Sequence, residues 1–136
     1  MATDLSNTQA FPKLARAARV ANIGPVERRR RLLMGLAMLC TGLGLALLLI
    51  GMRAGAYWRL GLFIPLWLAA LMLLQARART CVALAEKGQR DLGAGPEPIE
   101  DAVELALVRR QANIVTRTAL VAAGLGTFVV LFLSPR

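Results

Sequence analysis

Four consecutive arginines, Arg28 to Arg31, run directly into Leu32 to Met52, a 21-residue stretch without charge whose apolar side chains are interrupted only by Thr41 and four glycines. A helix rises about 1.5 Å per residue, so this stretch reaches about 30 Å, the thickness of a bilayer's hydrocarbon core. Arginines massed at one end act as an anchor on the cytoplasmic side. The junction therefore predicts an integral membrane protein. With 136 residues and a hydrophobic content of 57%, the chain has room for one domain and is too apolar for an ordinary water-soluble one.

Two further segments share this character. Tyr57 to Gln75 opens with Tyr57, Trp58 and Arg59, two amphipathic rings and a cation suited to a headgroup boundary, and has a charge-free core from Leu60 to Leu74. Pro65 removes one backbone donor inside it, which predicts a kink between Gly61 and Pro65. Only Arg53 to Ala56 separate it from the first span, so the two must form an antiparallel hairpin. The third span, 114–133, continues a helix that begins near Ile99, where Glu97, Glu100, Asp101 and Glu104 place negative charge at the positive end of the helix dipole. The fold class is thus all-α, an integral membrane helical hairpin plus a third transmembrane helix. Its parts are a basic region 1–31, a hairpin 32–75 with spans at 32–52 and 57–75, a segment 76–113, the third span and a tail 134–136. Helical composition from Gln75 to Gln89 predicts that the second helix projects beyond the membrane and stops near Gly88. Gly93, Gly95, Pro96 and Pro98 mark a linker.

Charge sets the expected orientation. Seven lysines and arginines precede the first span and six lie between the second and third, against two around the first connection and Arg136 at the end. The amino terminus and segment 76–113 are expected in the cytoplasm of a bacterial inner membrane, and the carboxyl terminus outside. A net charge of +9 and a pI near 11.4 would suggest nucleic acid in a soluble protein. Here the cations gather beside apolar spans and no aromatic platforms accompany them, so the expected partner is a bilayer with anionic headgroups, not nucleic acid. Lys13, Arg16 and Arg19 fall around a short, weakly apolar helix, Phe11 to Val20, suited to lying on such a surface. With Arg28, Arg29, Arg30 and Arg31 they form the basic set that would face lipid. Arg117, one turn inside the third span and two turns from Arg110, can reach back to the headgroups.

Histidine is absent, which removes the commonest general base and nitrogen ligand. No phosphate-binding glycine loop and no nucleophile–base pair occurs, so no enzyme, cofactor or metal centre is expected. No Asp, Glu or His lies in a predicted span, which argues against a proton-coupled pump. Cys40 sits mid-span and Cys81 beyond the second span, at depths that disfavour a disulfide. Cys81, partly accessible and near Arg79 and Lys87, is the candidate reactive thiol. Small residues offer packing faces instead: Gly35 with Gly42, Gly44 with Gly51, Ala119 with Ala123, and Ala122 with Gly126.

Asn22-Ile23-Gly24-Pro25, followed by Glu27-Arg28, Arg31 and Gly35, resembles the lead into the first span of small bacterial inner-membrane proteins with a YgaP-like transmembrane domain. The likeness covers Asn22 to Leu74 and implies a helical hairpin. Some members of that family carry rhodanese domains and many have a cysteine near the end of the second span; Cys81 lies farther out and is followed by Val82. The expected function is that of a small membrane scaffold or accessory protein acting through helix–helix and anionic-lipid contacts, as a homo-oligomer or in a larger membrane complex. A small oligomeric channel and a thiol-dependent, sulfur-handling membrane protein are the alternatives.

Overall fold

The computed structural model describes residues 21–133. The elements are α1 (Pro25–Gly51), α2 (Ala56–Leu60), α3 (Phe63–Ala78), α4 (Val82–Glu86), β1 (Gln89–Arg90), β2 (Glu97–Pro98) and α5 (Ala102–Phe132). Three helical segments are long and apolar enough to cross a membrane: α1, the α2–α3 pair from Ala56 to Ala78, and α5. The proposed surface helix at Phe11 to Val20, with Lys13, Arg16 and Arg19, lies outside the described residues, as does the 134–136 tail.

Local chemistry explains the boundaries. Pro25 opens α1, where its missing N–H is no loss, and Glu27 sits in the first turn. At the far end Arg53 adopts a left-handed conformation with φ 53°, and its N–H donates to the Ile50 carbonyl at 3.0 Å. Where a kink is predicted around Pro65, the helix is interrupted at Gly61 and Leu62, both still right-handed. Pro65 has no N–H for the Gly61 carbonyl, whereas the Leu66 N–H still reaches Leu62 at 3.2 Å. Asp101 caps α5 through Oδ1, which accepts from the Val103 N–H at 2.9 Å.

One boundary differs from the sequence expectation. The second helix does not continue to Gly88; it stops at Ala78, where Arg79 turns left-handed at φ 53°. Thr80 then returns its N–H to the Gln75 carbonyl, Cys81 is extended, and the helix restarts as the short α4. Helical composition was overridden by partners that only the tertiary fold supplies.

α3 is the central helix, with α1 and α5 on either side of it. Gly35 faces Leu73 and Gly42 faces Leu66, so positions rise in α1 as they fall in α3, as an antiparallel pair requires. A Cβ at Gly35 would come within 2.9 Å of Leu73 Cγ and 3.1 Å of its backbone nitrogen. Against the other side of α3, Ala119, Ala123 and Thr127 of α5 are buried, and Gly126 approaches Leu66. The buried seams are built from small residues, while Leu47, Leu125 and Phe132 point outward and are at least half exposed. Hiding leucine from lipid gains nothing, but close backbone approach does gain dispersion contacts, so this inside-out arrangement suits a bilayer.

Beyond the arginine-rich end sits a small cap. Ala85, Ile99, Val108 and Ala112 form its buried cluster with Val82 and Leu105 packed against it. β1 and β2 pair antiparallel, Gln89 with Pro98 and Arg90 with Glu97. Arg90 holds Glu97 at 2.7 Å and Glu104 at 3.0 Å. The Glu97 hydrogen bond first, and the Glu104 charge next, raise the Arg90 guanidinium above its ordinary pKa.

Candidate functional site

The polar chemistry of the described residues converges where α1 begins and α3 ends. Asn22, fully buried, is the centre. Its Nδ2 donates to the Cys81 carbonyl at 3.0 Å, while its Oδ1 accepts from the Cys81 N–H at 2.6 Å. Its own backbone N–H reaches the Arg79 carbonyl at 3.0 Å, and its carbonyl accepts from the Asp91 N–H at 2.8 Å. One side chain thus engages both backbone groups of a residue whose extended conformation has left the helix, and the Cys81 carbonyl accepts from the Ala85 N–H as well, at 3.0 Å.

Arginines complete the arrangement. Arg31, half-buried, donates through Nη1 to Gln75 Oε1 and through Nη2 to Cys81 Sγ at 3.2 Å, and pairs with Glu27 at 3.1 Å. Gln75 Oε1 also accepts from the Val82 N–H at 3.4 Å. Arg28 donates from Nε to the Ala76 carbonyl at 3.0 Å, so a cation meets the C-terminal, negative end of the α3 dipole. Gly24 is required by close approach: a Cβ there would meet the Leu92 backbone at 2.9 Å, and its N–H donates to the Asp91 carbonyl at 2.8 Å. Asn22, Arg28 and Arg31 thus fasten the lead-in of α1 to the exit of α3, and Gly24 fastens it to Asp91 and Leu92 beyond β1.

The sequence-derived candidates distribute unevenly around this knot. Arg29 and Arg30 are exposed, and Arg117 lies exposed on α5 well away from it. Gly35 and Gly42 lie in the α1–α3 seam, whereas at Gly44 and Gly51 no atom of the described residues comes within 4 Å of a would-be Cβ. Ala119 and Ala123 are buried, Ala122 is exposed, and Gly126 touches α3. Both cysteines are free; Cys40 is exposed. Cys81, expected to be partly accessible, is only 3% exposed because Asn22 and Arg31 close over it. Sequence reasoning missed Asn22 and Gln75 as site residues. The available signal was a short polar motif beside a helix start, which reads equally well as a helix breaker.

At the opposite end the polar groups are less well served. Arg59 is 5% exposed, and its Nε, like Trp67 Nε1, has no hydrogen-bond partner among the described residues. Polar groups that could line a conduit are already engaged: Thr41 and Thr127 return their hydroxyls to Ala37 and Ala123 at 2.9 and 2.8 Å, and Gln75 belongs to the knot. Among the described residues no three acidic, cysteine or histidine side chains cluster as a metal site would need.

Comparison with protein-family models, curated proteins and solved structures finds no match to this chain.

Proposed function

We propose that the chain is a small multi-pass membrane scaffold or accessory protein that works by presenting a helix face to a second membrane helix, from another copy of itself or a larger complex. The observation that carries this reading is the arrangement of glycines on α1. Gly35 and Gly42, seven apart, let α3 lie against one side of the helix. Gly44 and Gly51 repeat that spacing nine residues on, which at about 100° per residue is a half-turn away. The second pair therefore opens on the opposite side of α1, where nothing among the described residues meets it and where Leu47 and Leu48 flank it, exposed. A groove of the kind that seats α3 is thus repeated without an occupant. The basic residues of the first 31 positions would hold the chain to anionic lipid in the inner membrane of a bacterium, with the amino terminus cytoplasmic. The reading needs no catalysis.

Mild-detergent purification of the tagged full chain tests this. Wild-type protein should bring a stoichiometric second copy or membrane partner, and Gly44→Leu with Gly51→Leu should lose it without lowering the chain's own melting point. Monomeric wild-type protein without a partner sinks the proposal, as does a partner indifferent to both substitutions. Reporter fusions after residue 90 should report a cytoplasmic location.

The thiol reading keeps one supporting observation, the Arg31 guanidinium 3.2 Å from Cys81 Sγ. It requires the Asn22 knot to open, so Cys81→Ser should abolish a cellular phenotype of the protein only if that opening occurs.

A further inference from the structure

A groove of about 330 Å³ lies between α4 and the second to fourth turns of α5, lined by the apolar Val82, Ala85 and Ala112 and by the polar Glu86, Arg109, Asn113 and Thr116. Its depth follows from helix length. The 31 residues of α5 span about 46 Å, more than the roughly 30 Å of a hydrocarbon core. Counting back about 20 residues from Leu133 puts the near boundary of the core around Asn113. Arg109 then stands one turn into the headgroup layer of the arginine-rich leaflet, and the cavity opens where phosphates and amines of lipids reside.

The charges that border it are matched but do not meet. Arg109 and Glu86 line the same space, yet neither lies within 4.0 Å of an opposite charge among the described residues. Arg109 donates from its Nε to the Ala85 carbonyl at 3.4 Å, which leaves the donors on its two Nη groups available to a ligand. A cation and an anion held apart across a small, half-apolar space fit a ligand that carries both signs.

We infer that this cavity is a headgroup site for an aminophospholipid, phosphatidylethanolamine, with its phosphate on Arg109 and its ammonium on Glu86. The primary ammonium has N–H donors for the Glu86 carboxylate and the Asn113 carbonyl oxygen. A choline headgroup has none, and the wall offers no aromatic face for a quaternary cation. A headgroup with phosphate alone would leave Glu86 facing a like charge. The inference rests on the membrane reading but goes beyond it, since the basic residues of the amino-terminal region select only for negative surface charge.

The test uses the full chain in mild detergent with equal amounts of phosphatidylethanolamine, phosphatidylcholine and phosphatidylglycerol, the bound lipid being counted by native mass spectrometry. Wild-type protein should retain phosphatidylethanolamine about tenfold or more over either competitor, the effect of one charge-assisted hydrogen bond. Glu86→Gln should bring phosphatidylethanolamine down to the phosphatidylcholine level, and Arg109→Gln should lower both. Soluble phosphoethanolamine should fail to displace the lipid. Equal retention of the three lipids by wild type overturns the inference without any variant, as does a preference for phosphatidylglycerol, an unchanged preference in Glu86→Gln, or displacement by the soluble headgroup. A chain that leaves the membrane fraction in a carbonate wash takes the membrane reading down as well; a chain that stays but shows no lipid preference fails only here.

Discussion

The two ends of the helical bundle are held by different physics. At the arginine-rich end, directional hydrogen bonds join residues 44 to 59 positions apart, and Asn22, Arg28, Arg31 and Gln75 all have partners across the α1–α3 gap. At the hairpin end the fold relies on close apolar contact and a four-residue connection, and it leaves Arg59 Nε without an acceptor among the described residues. Hydrogen bonds specify register; small-residue packing permits approach but tolerates sliding. The contrast assigns specificity to one end and close contact to the span between.

The largest break in this contrast should come from Asn22→Ala. It strands the Cys81 N–H in a buried place, at about 1–3 kcal/mol, and removes one of the two donors on the Cys81 carbonyl, which keeps the Ala85 N–H at 3.0 Å, so unfolding in detergent should be easier by about 2–4 kcal/mol. Cys81 should then react with thiol reagents that leave it untouched in the wild type. Unchanged stability together with an unreactive Cys81 would mean the knot is dispensable.

A smaller effect should follow from widening the seam. Gly35→Val forces a side chain into Leu73 and should destabilise by about 1–3 kcal/mol, as overpacking does. Gly44→Ala, on the open side of the same helix, should be neutral or stabilise by up to about 1 kcal/mol through helix propensity. Melting points in detergent measure both, and equal losses would erase the distinction between the two faces of α1.

The smallest effect should have the opposite sign. Arg59→Met replaces a buried guanidinium with an unbranched apolar side chain, and should raise stability by roughly 1 kcal/mol. A lowered melting point would reveal an acceptor for Arg59 beyond residues 21–133 and make the two ends more alike than they are described here.

These asymmetries were only partly legible in the sequence. The spans were legible because a charge-free run of 21 residues beside four arginines has few physical solutions, and the hairpin because its connection is too short for another. Pro65 announced the interruption. The Asn22 knot was not, because its hydrogen bonds join segments that composition cannot bring together, and the end of α3 at Ala78 depends on them. The glycine pairs at 35 and 42 and at 44 and 51 are indistinguishable by spacing; only packing tells which face the chain uses. Cys81 looked accessible because local sequence cannot show what Asn22 and Arg31 cover.

Arg53 and Arg79 share a feature whose consequence reaches into how such a chain can change over time. Each occupies a left-handed turn position at the end of a helix, with φ of 53°, where glycine would relieve strain of about 1–2 kcal/mol. Each is also a cation at a span boundary, where charge is read during insertion. On the proposed orientation, a glycine at Arg79 would make a more comfortable turn and a less decided address, whereas a glycine at Arg53, on the outer connection, would improve both. Mutational drift at Arg79 is thus pulled in opposite directions by backbone comfort and by membrane sorting, so a variant selected in the test tube for stability alone should lose an arginine there that a variant selected in cells for correct insertion retains, while Arg53 should give way to glycine under either selection.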